Sequence, residues 1–389
     1  MSLVPFTSSF IALESQLASA SGNHPTFLNG TTSNTHPTYL LYFTGYSKGQ
    51  KCISSTRRVF KLEKFDHSRI PLYAILSHTW GEDEVTYQEM QLGVADKKAG
   101  YEKINQTCLI AKSHGFAYIW IDTCCIDKTS SAELSEAINS MFHWYQDSGI
   151  CYAYLADVEI SATDRLSNSR WFTRGWTLQE LIAPSIVIFL DKGWHQIGTK
   201  SSLGSIISKV TSIPDNILQG ANPQSASVAE RMSWAANRET ARIEDLAYCL
   251  LGIFGVNMPL LYGEGQGAFN RLQEEIIKVS DDHSLLAWKG VASPFNSLLA
   301  SSPAAFSTCG KINPLDSNST PSGAITINNK GIHLKLPILR IETKNLYLAV
   351  SPCFVQEGLS TRVGIFVAAA SGTKEYFRGV YPRGFNSTI

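Results

Sequence analysis

Between Tyr73 and Asp191 short apolar runs alternate with stretches whose apolar residues recur at helical spacing, and this alternation constrains the fold more than any other feature of the chain. YAILSH (73–78) is a short apolar strand. After a polar connection Ile104, Cys108 and Ala111 recur at the spacing of one helix face. YIWID (118–122) is a second strand, followed by Leu134, Ile138, Met141, Phe142 and Tyr145, a stripe that one helix would bury. CYAYLADV (151–158) is a third strand, a helix includes Trp176 to Leu181, and SIVIFLD (185–191) is a fourth strand. Strand and helix in strict alternation predict an α/β fold, a parallel sheet flanked by helices on both faces.

The remainder divides by composition. Residues 1–56 are rich in Ser, Thr, Asn and Gly with little periodicity and read as a weakly ordered leader. Residues 57–200 form the α/β core. Residues 201–290 are a helical extension, ending in a helix with Phe269, Leu272, Ile276 and Val279 on its apolar side. From 291 to 389 Ser, Pro and Asn separate alternating segments (GIHLKLPIL, NLYLAVSPC, VGIFVAAA) that read as antiparallel strands, a small β-rich C-terminal region. No repeat of solenoid period is present.

Charge and cysteine usage exclude several classes. Thirty-three basic residues balance thirty-three acidic ones, so no global field draws the chain to nucleic acid or anionic lipid. The eight cysteines are scattered, several inside apolar runs, and no C-x-x-C pair occurs. They read as reduced thiols in a cytoplasmic protein, and no structural metal is expected. The N-terminus lacks a basic segment before an apolar one, so no secretory signal is read there. The apolar stretch 246–262 contains Gly252, Gly255, Asn257 and Pro259, which fits a buried helix and turn rather than a membrane span.

In an open parallel sheet ligands bind beyond the carboxyl ends of the strands. The polar residues there are Ser77, His78, Trp80 and Gly81 after the first strand, Asp122, Cys124, Cys125 and Asp127 after the second, and Asp157 and Glu159 after the third. The following segment adds Arg170, Trp171, Arg174, Trp176, Gln179 and Glu180. Each has a plainer role beside a functional one. Asp122 either orients a ligand hydroxyl or caps its loop. Trp80 and Trp171 either stack on a ring or close the core. His78 can activate the Cys125 thiol only if the two meet, and a thiol after an apolar strand is more often simply packed. Glu133 stands three residues after Ser130, the spacing of a capping box. GEGQG (263–267) lacks the Lys and the strand context of a phosphate loop and reads as a Gly-rich helix entry.

SHTWG (77–81), WIDTCCIDK (120–128), ELSEAINSMFHWY (133–145) and RGWTLQEL (174–181) together resemble the fungal heterokaryon-incompatibility (HET) domain, and RIEDLAYCLLGIFGVNMPLLYGEGQGAFNRLQEEI (242–276) resembles the extension common in its fungal members. The resemblance covers roughly residues 57–290. It implies non-self recognition and programmed cell death. No GxxxxGK[ST] occurs, so the nucleotide-binding module that follows some HET domains is not expected.

HET domains are distantly similar to TIR domains, some of which cleave NAD, and this implies a flavodoxin-like sheet and a chemistry. In the TIR pattern a Trp on the helix after the third strand precedes a catalytic Glu by four residues, a spacing matched by Trp176 and Glu180. Positions four apart share a helix face. By this resemblance Glu180 is the catalytic carboxylate, NAD is the substrate rather than a resident cofactor, and Ser77, His78, Trp80, Gly81, Asp122, Cys125, Arg174 and Trp176 form its surroundings. The plainer alternative places Trp176 and Leu181 in the core and pairs Glu180 with Arg174 at the surface. The resemblance also implies self-association and an incompatibility partner protein. The alternative to an enzyme is an interaction scaffold that signals death by assembly alone.

Overall fold

The structure, a computed structural model, describes residues 38–43, 60–159, 166–289, 298–315, 324–329, 331–341, 346–356, 361–369 and 376–378. Its strands in the first half are β1 (Thr38–Phe43), β2 (Phe60–Phe65), β3 (Tyr73–His78), β4 (Tyr118–Trp120), β5 (Ile150–Tyr154), β6 (Val187–Leu190) and β7 (Gln196–Thr199). Between them lie α1 (Tyr87–Gln91), α2 (Tyr101–Ser113), α3 (Asp122–Cys125), α4 (Ser131–Gln146) and α5 (Thr177–Ile182). The strands form one sheet in the order β2-β1-β4-β3-β5-β6-β7. Its middle is parallel, β4 and β5 pairing either side of β3 and β6 pairing β5. Counted alone, these four parallel strands run 2-1-3-4, the order of a flavodoxin-like sheet, with the switch point between β3 and β5.

Every residue of β3 is buried, as expected of a central strand covered on both faces. Apolar stripes of α2 (Ile104, Cys108, Ala111) and α4 (Ile138, Met141, Phe142, Tyr145) lie in the core as their spacing predicts. Ser130 caps α4, its hydroxyl accepting the Glu133 N–H. The reciprocal half of the expected capping box is not formed, because the Glu133 carboxylate accepts the Asp127 N–H instead, at 2.8 Å.

One correction concerns the leader. Within residues 1–56, β1 inserts between β2 and β4, antiparallel to both, and Leu40 and Leu41 are wholly buried. TYLLYF lacks alternation because both faces of this strand are covered. The rest of that segment lies outside the described residues. The antiparallel edges β2 and β7 likewise extend the sheet beyond its parallel core.

The helical extension comprises α6 (Gly204–Thr211), α7 (Asp215–Leu218), α8 (Val228–Ala235), α9 (Asp245–Tyr248), α10 (Leu251–Phe254) and α11 (Gly267–Val279). The 246–262 stretch is thus two buried short helices and a turn. Gly255 ends α10 with a left-handed φ of 66°. Gly252 lets α10 approach α4, since a Cβ there would stand 2.1 Å from Phe142 Cβ. On α11, Phe269, Leu272 and Ile276 are buried, whereas Val279, expected on the same face, is exposed at the last turn. No helix among the described residues is long and apolar enough to cross a membrane.

The C-terminal strands are β8 (Ile312–Pro314), β9 (Thr326–Asn328), β10 (Gly331–His333), β11 (Ile338–Ile341), β12 (Leu346–Val355), β13 (Thr361–Ala369) and β14 (Tyr376–Arg378). β9 and β10 form a two-stranded pair, and the others an antiparallel sheet in the order β11-β12-β13-β14 with β8 added to β12. The architecture is therefore mixed α/β with a parallel core, a helical middle and a small antiparallel C-terminal sheet, as the sequence predicts. Seven cysteines among the described residues are free and buried.

Candidate functional site

Successive residues of a strand point to opposite faces, so Ser77 and His78 at the carboxyl end of β3 enter different layers. Two polar clusters follow, one on each face, both at the carboxyl edge beside the switch point.

The first cluster gathers on Ser77. Its hydroxyl accepts the Trp171 indole N–H at 2.8 Å and donates to the Glu180 carboxylate. The Tyr145 hydroxyl, which donates its proton to the Leu76 carbonyl at 3.1 Å, lies near the same carboxylate. Glu180 is 9% exposed. Burial pushes its carboxyl up to about 8; Ser77, Tyr145 and the Arg238 charge oppose that rise, and the negative charge of Asp122 adds to it. The expected surface pair of Glu180 with Arg174 is not formed. Glu180 instead reaches back across the sheet to β3.

The helix bearing Glu180 is held at both ends. Near its start, buried Arg238 donates to the Arg174 carbonyl at 2.8 Å and to Thr177 Oγ1 at 3.0 Å. At its finish, the buried Lys200 ammonium donates to the carbonyls of Leu181, Ile182 and Pro184, where a cation also suits the helix dipole. Burial lowers the Lys200 pKa to about 8. Gly175 permits the crossing of 239–240 over this turn: its N–H bonds the Glu239 carbonyl at 2.9 Å, and a Cβ would meet Thr240 Cγ2 at 2.5 Å.

The second cluster gathers on Asp122, the first residue of α3. It accepts from His78 Nε2 at 3.1 Å and from the Trp80 indole at 2.7 Å. Lys103 contacts His78 Nδ1 at 3.2 Å, and an ammonium can only donate; Nδ1 therefore accepts and Nε2–H faces Asp122. Burial raises the Asp122 carboxyl, but the His78 hydrogen bond, the Lys128 charge and the Trp80 indole outweigh it and leave the group below the usual carboxylate range. Lys128 lies 4.1 Å over the Trp80 ring and donates to the Asp122 carbonyl at 2.9 Å. Trp80 remains 55% exposed, the one large aromatic here open to a ligand or partner. Gly81 donates its N–H to Glu84 at 2.7 Å, and Glu84 pairs with Lys103.

The other expected residues go elsewhere. Cys125 is buried, its sulfur 3.4 Å from the Ile121 N–H, while His78 is engaged by Asp122 and Lys103, so the His–thiol pair is not assembled. Trp176 lies beside Asp245 of the helical extension, and Arg174 contributes its carbonyl to Arg238. Trp171 is core, 1% exposed. Asp157 caps the 170–173 turn, accepting from Ser169 at 2.7 Å and the Arg170 N–H at 2.8 Å. In GEGQG, the N–H groups of Gly263 and Gly265 do cradle an anion, but it is the chain's own Glu244 carboxylate. Tyr145, Arg238, Lys200 and Lys103 complete the two clusters without having been singled out as site residues by sequence. Only Tyr145 had a signal, its place at the end of the α4 stripe.

Comparison with known proteins follows the same segment. Residues 73–162, from β3 past β5, match the family described as heterokaryon incompatibility protein (HET). Over 238 residues the chain is 47% identical to vegetative incompatibility protein HET-E-1 of Podospora anserina; the match covers 58% of this chain and 17% of that protein. The chain thus spans about a sixth of the relative's length. No solved structure matches. Ser77, His78, Trp80, Gly81, Asp122 and Cys125 fall inside the family match, and Arg174, Trp176 and Glu180 beyond it.

Proposed function

We propose, from the premise that this chain is a HET-domain protein related to a vegetative incompatibility protein, that it is an effector of fungal non-self recognition whose output is programmed cell death, and that it acts by hydrolysing NAD through Glu180. The observation that carries the chemistry is the placement of Glu180: a buried carboxylate with a raised pKa, hydrogen-bonded to Ser77 at the carboxyl end of β3 beside the switch point of a parallel sheet. Perturbed titratable groups gather at functional sites, and this edge is where such sheets bind ligands.

In the reaction the bond from the ribose anomeric carbon to nicotinamide breaks, the electron pair leaving with nicotinamide. Ionised Glu180 stabilises the oxocarbenium-like centre, water forms the new C–O bond, and its proton passes to solvent. Ser77 holds the carboxylate in place. The single chain keeps Glu180 nearly closed, which accords with a site that opens or is completed only when copies associate in the cytoplasm.

Expression of the wild type and of Glu180→Ala in the same host tests the reading. Loss of NAD ahead of lysis, abolished by the substitution while protein level and fold persist, supports it. Killing with NAD unchanged would mean a scaffold that signals by assembly with its partner protein.

A further inference from the structure

Just beyond α8, in the helical extension, Arg238 is buried with its guanidinium spread over acceptors on two segments. Nε donates to the Trp234 carbonyl at 3.2 Å, and Nη1 to the Arg174 carbonyl at 2.8 Å and to Thr177 Oγ1 at 3.0 Å. The backbone secures the same crossing: the Gly175 N–H bonds the Glu239 carbonyl at 2.9 Å, and the Glu239 N–H bonds the Thr173 carbonyl at 2.7 Å. The extension thus clamps the turn that enters α5.

From Thr177 two routes converge on the Glu180 carboxylate. Along α5, Thr177 and Glu180 stand three positions apart, neighbours on one helix face. Through side chains, the Thr177 hydroxyl accepts from Arg238 and donates to the Trp171 carbonyl; the Trp171 indole donates to Ser77 at 2.8 Å, and Ser77 to Glu180. Every side chain in this relay is buried. Removing one member leaves its neighbours with unmade bonds out of reach of water, so the relay holds as a unit.

We infer that Arg238 is a positioning residue for the reaction assigned to Glu180, fixing the turn that carries the carboxylate and supplying positive charge to its surroundings, so that the helical extension completes the site of the α/β core. The reaction is that of the NAD reading, on which this inference rests. Burial raises the Glu180 carboxyl, and the Arg238 charge opposes that rise. Burial in turn lowers Arg238 to about 10, and the negative charges of Cys249 and Glu180 oppose that fall. Tyr145 of α4, Cys151 of β5 and Cys249 after α9 also face Glu180, and burial keeps all three protonated. At neutral pH the charges acting on Glu180 among the described residues are therefore Asp122 and Arg238, opposite in sign.

Two measurements test this together. One is the pH at which Glu180 ionises, read without substrate from the difference in urea stability between each protein and its Glu180→Gln counterpart. The other is nicotinamide release from NAD. Arg238→Gln keeps a donor for the Arg174 carbonyl but removes the charge. It is expected to move the ionisation above 8, to displace the pH profile of release by the same amount, and to lower kcat at neutral pH with KM unchanged, since Arg238 meets no substrate. Arg238→Lys keeps the charge and is expected to return both titrations toward wild type. Should Arg238→Gln fail to fold, Thr177→Val decides: it breaks the relay with the charge in place and is expected to lower kcat about tenfold or more, with Thr177→Ser restoring it. If wild type releases no nicotinamide, the NAD reading falls by itself, and the stability titration still separates the outcomes: a shift in Arg238→Gln upholds the hold of Arg238 on Glu180, and an ionisation that stays where wild type has it overturns it. Wild-type kcat and pH profile in Arg238→Gln, or in both Thr177 variants, would overturn the inference as well.

Discussion

Ser77 holds Glu180 from 103 positions away in the chain, donating its hydroxyl proton to the carboxylate while accepting the Trp171 indole N–H. Ser77→Ala removes a donor that favours the ionised carboxylate and strands a buried indole N–H. The expected cost is about 1–3 kcal/mol. It should be larger at pH 9 than at pH 6, since the lost bond is strongest to the charged group. Urea unfolding at the two pH values checks both the size and the trend.

Glu180 also sets a pH dependence of stability. Its folded pKa, about 8, lies above the ordinary 4.5, so between those values the folded state holds the extra proton. Stability from this group is greatest below about pH 4.5 and is lost as pH rises through 8, a change on the order of a few kcal/mol. Glu180→Gln should flatten that slope and be the more stable protein at pH 9. Paired denaturation series from pH 5 to 9 measure it; parallel curves would contradict it.

Asp122 behaves in the opposite sense. Its folded pKa lies below the ordinary value, so its contribution is present above about pH 4 and lost as pH falls through the folded pKa. Asp122→Ala leaves His78 and Trp80 without their shared acceptor and should weaken the fold by about 1–3 kcal/mol at pH 7. Freed Trp80 should then show altered emission and faster collisional quenching. Trp80→Phe in the same background identifies the signal.

At Gly175 the constraint is steric. Gly175→Ala drives a methyl into Thr240 and is expected to cost about 1–3 kcal/mol. Thr240→Ser removes the Cγ2 that it meets while keeping a hydroxyl for the Arg242 carbonyl, and should recover most of that loss. A double-mutant cycle in thermal unfolding reads the coupling.

The parallel core was legible because four apolar runs and the stripes of α2 and α4 carry periodicities that only one layer arrangement buries together. β1 was not, since TYLLYF is covered on both faces and sits in a polar surround that hides it. The rule for the carboxyl edge points to Ser77, His78 and Asp122, and a linear reading treats them as one group. The pleat separates them, sending Ser77 to Glu180 and His78 to Asp122. The i to i+4 spacing put Trp176 and Glu180 on one ligand face; tertiary packing instead gives Trp176 to Asp245. Arg238 and Lys200 brace α5 from distant segments, and nothing local to either residue announces that contact.

Release of nicotinamide from NAD by the purified chain, wild type beside Glu180→Gln with matched circular dichroism, tests the central claim most directly. The account predicts turnover by wild type alone, rising more than linearly with protein concentration and rising with pH toward about 8 as Glu180 ionises. Equal turnover by the Gln variant, or none by wild type even when copies are forced together, would contradict it.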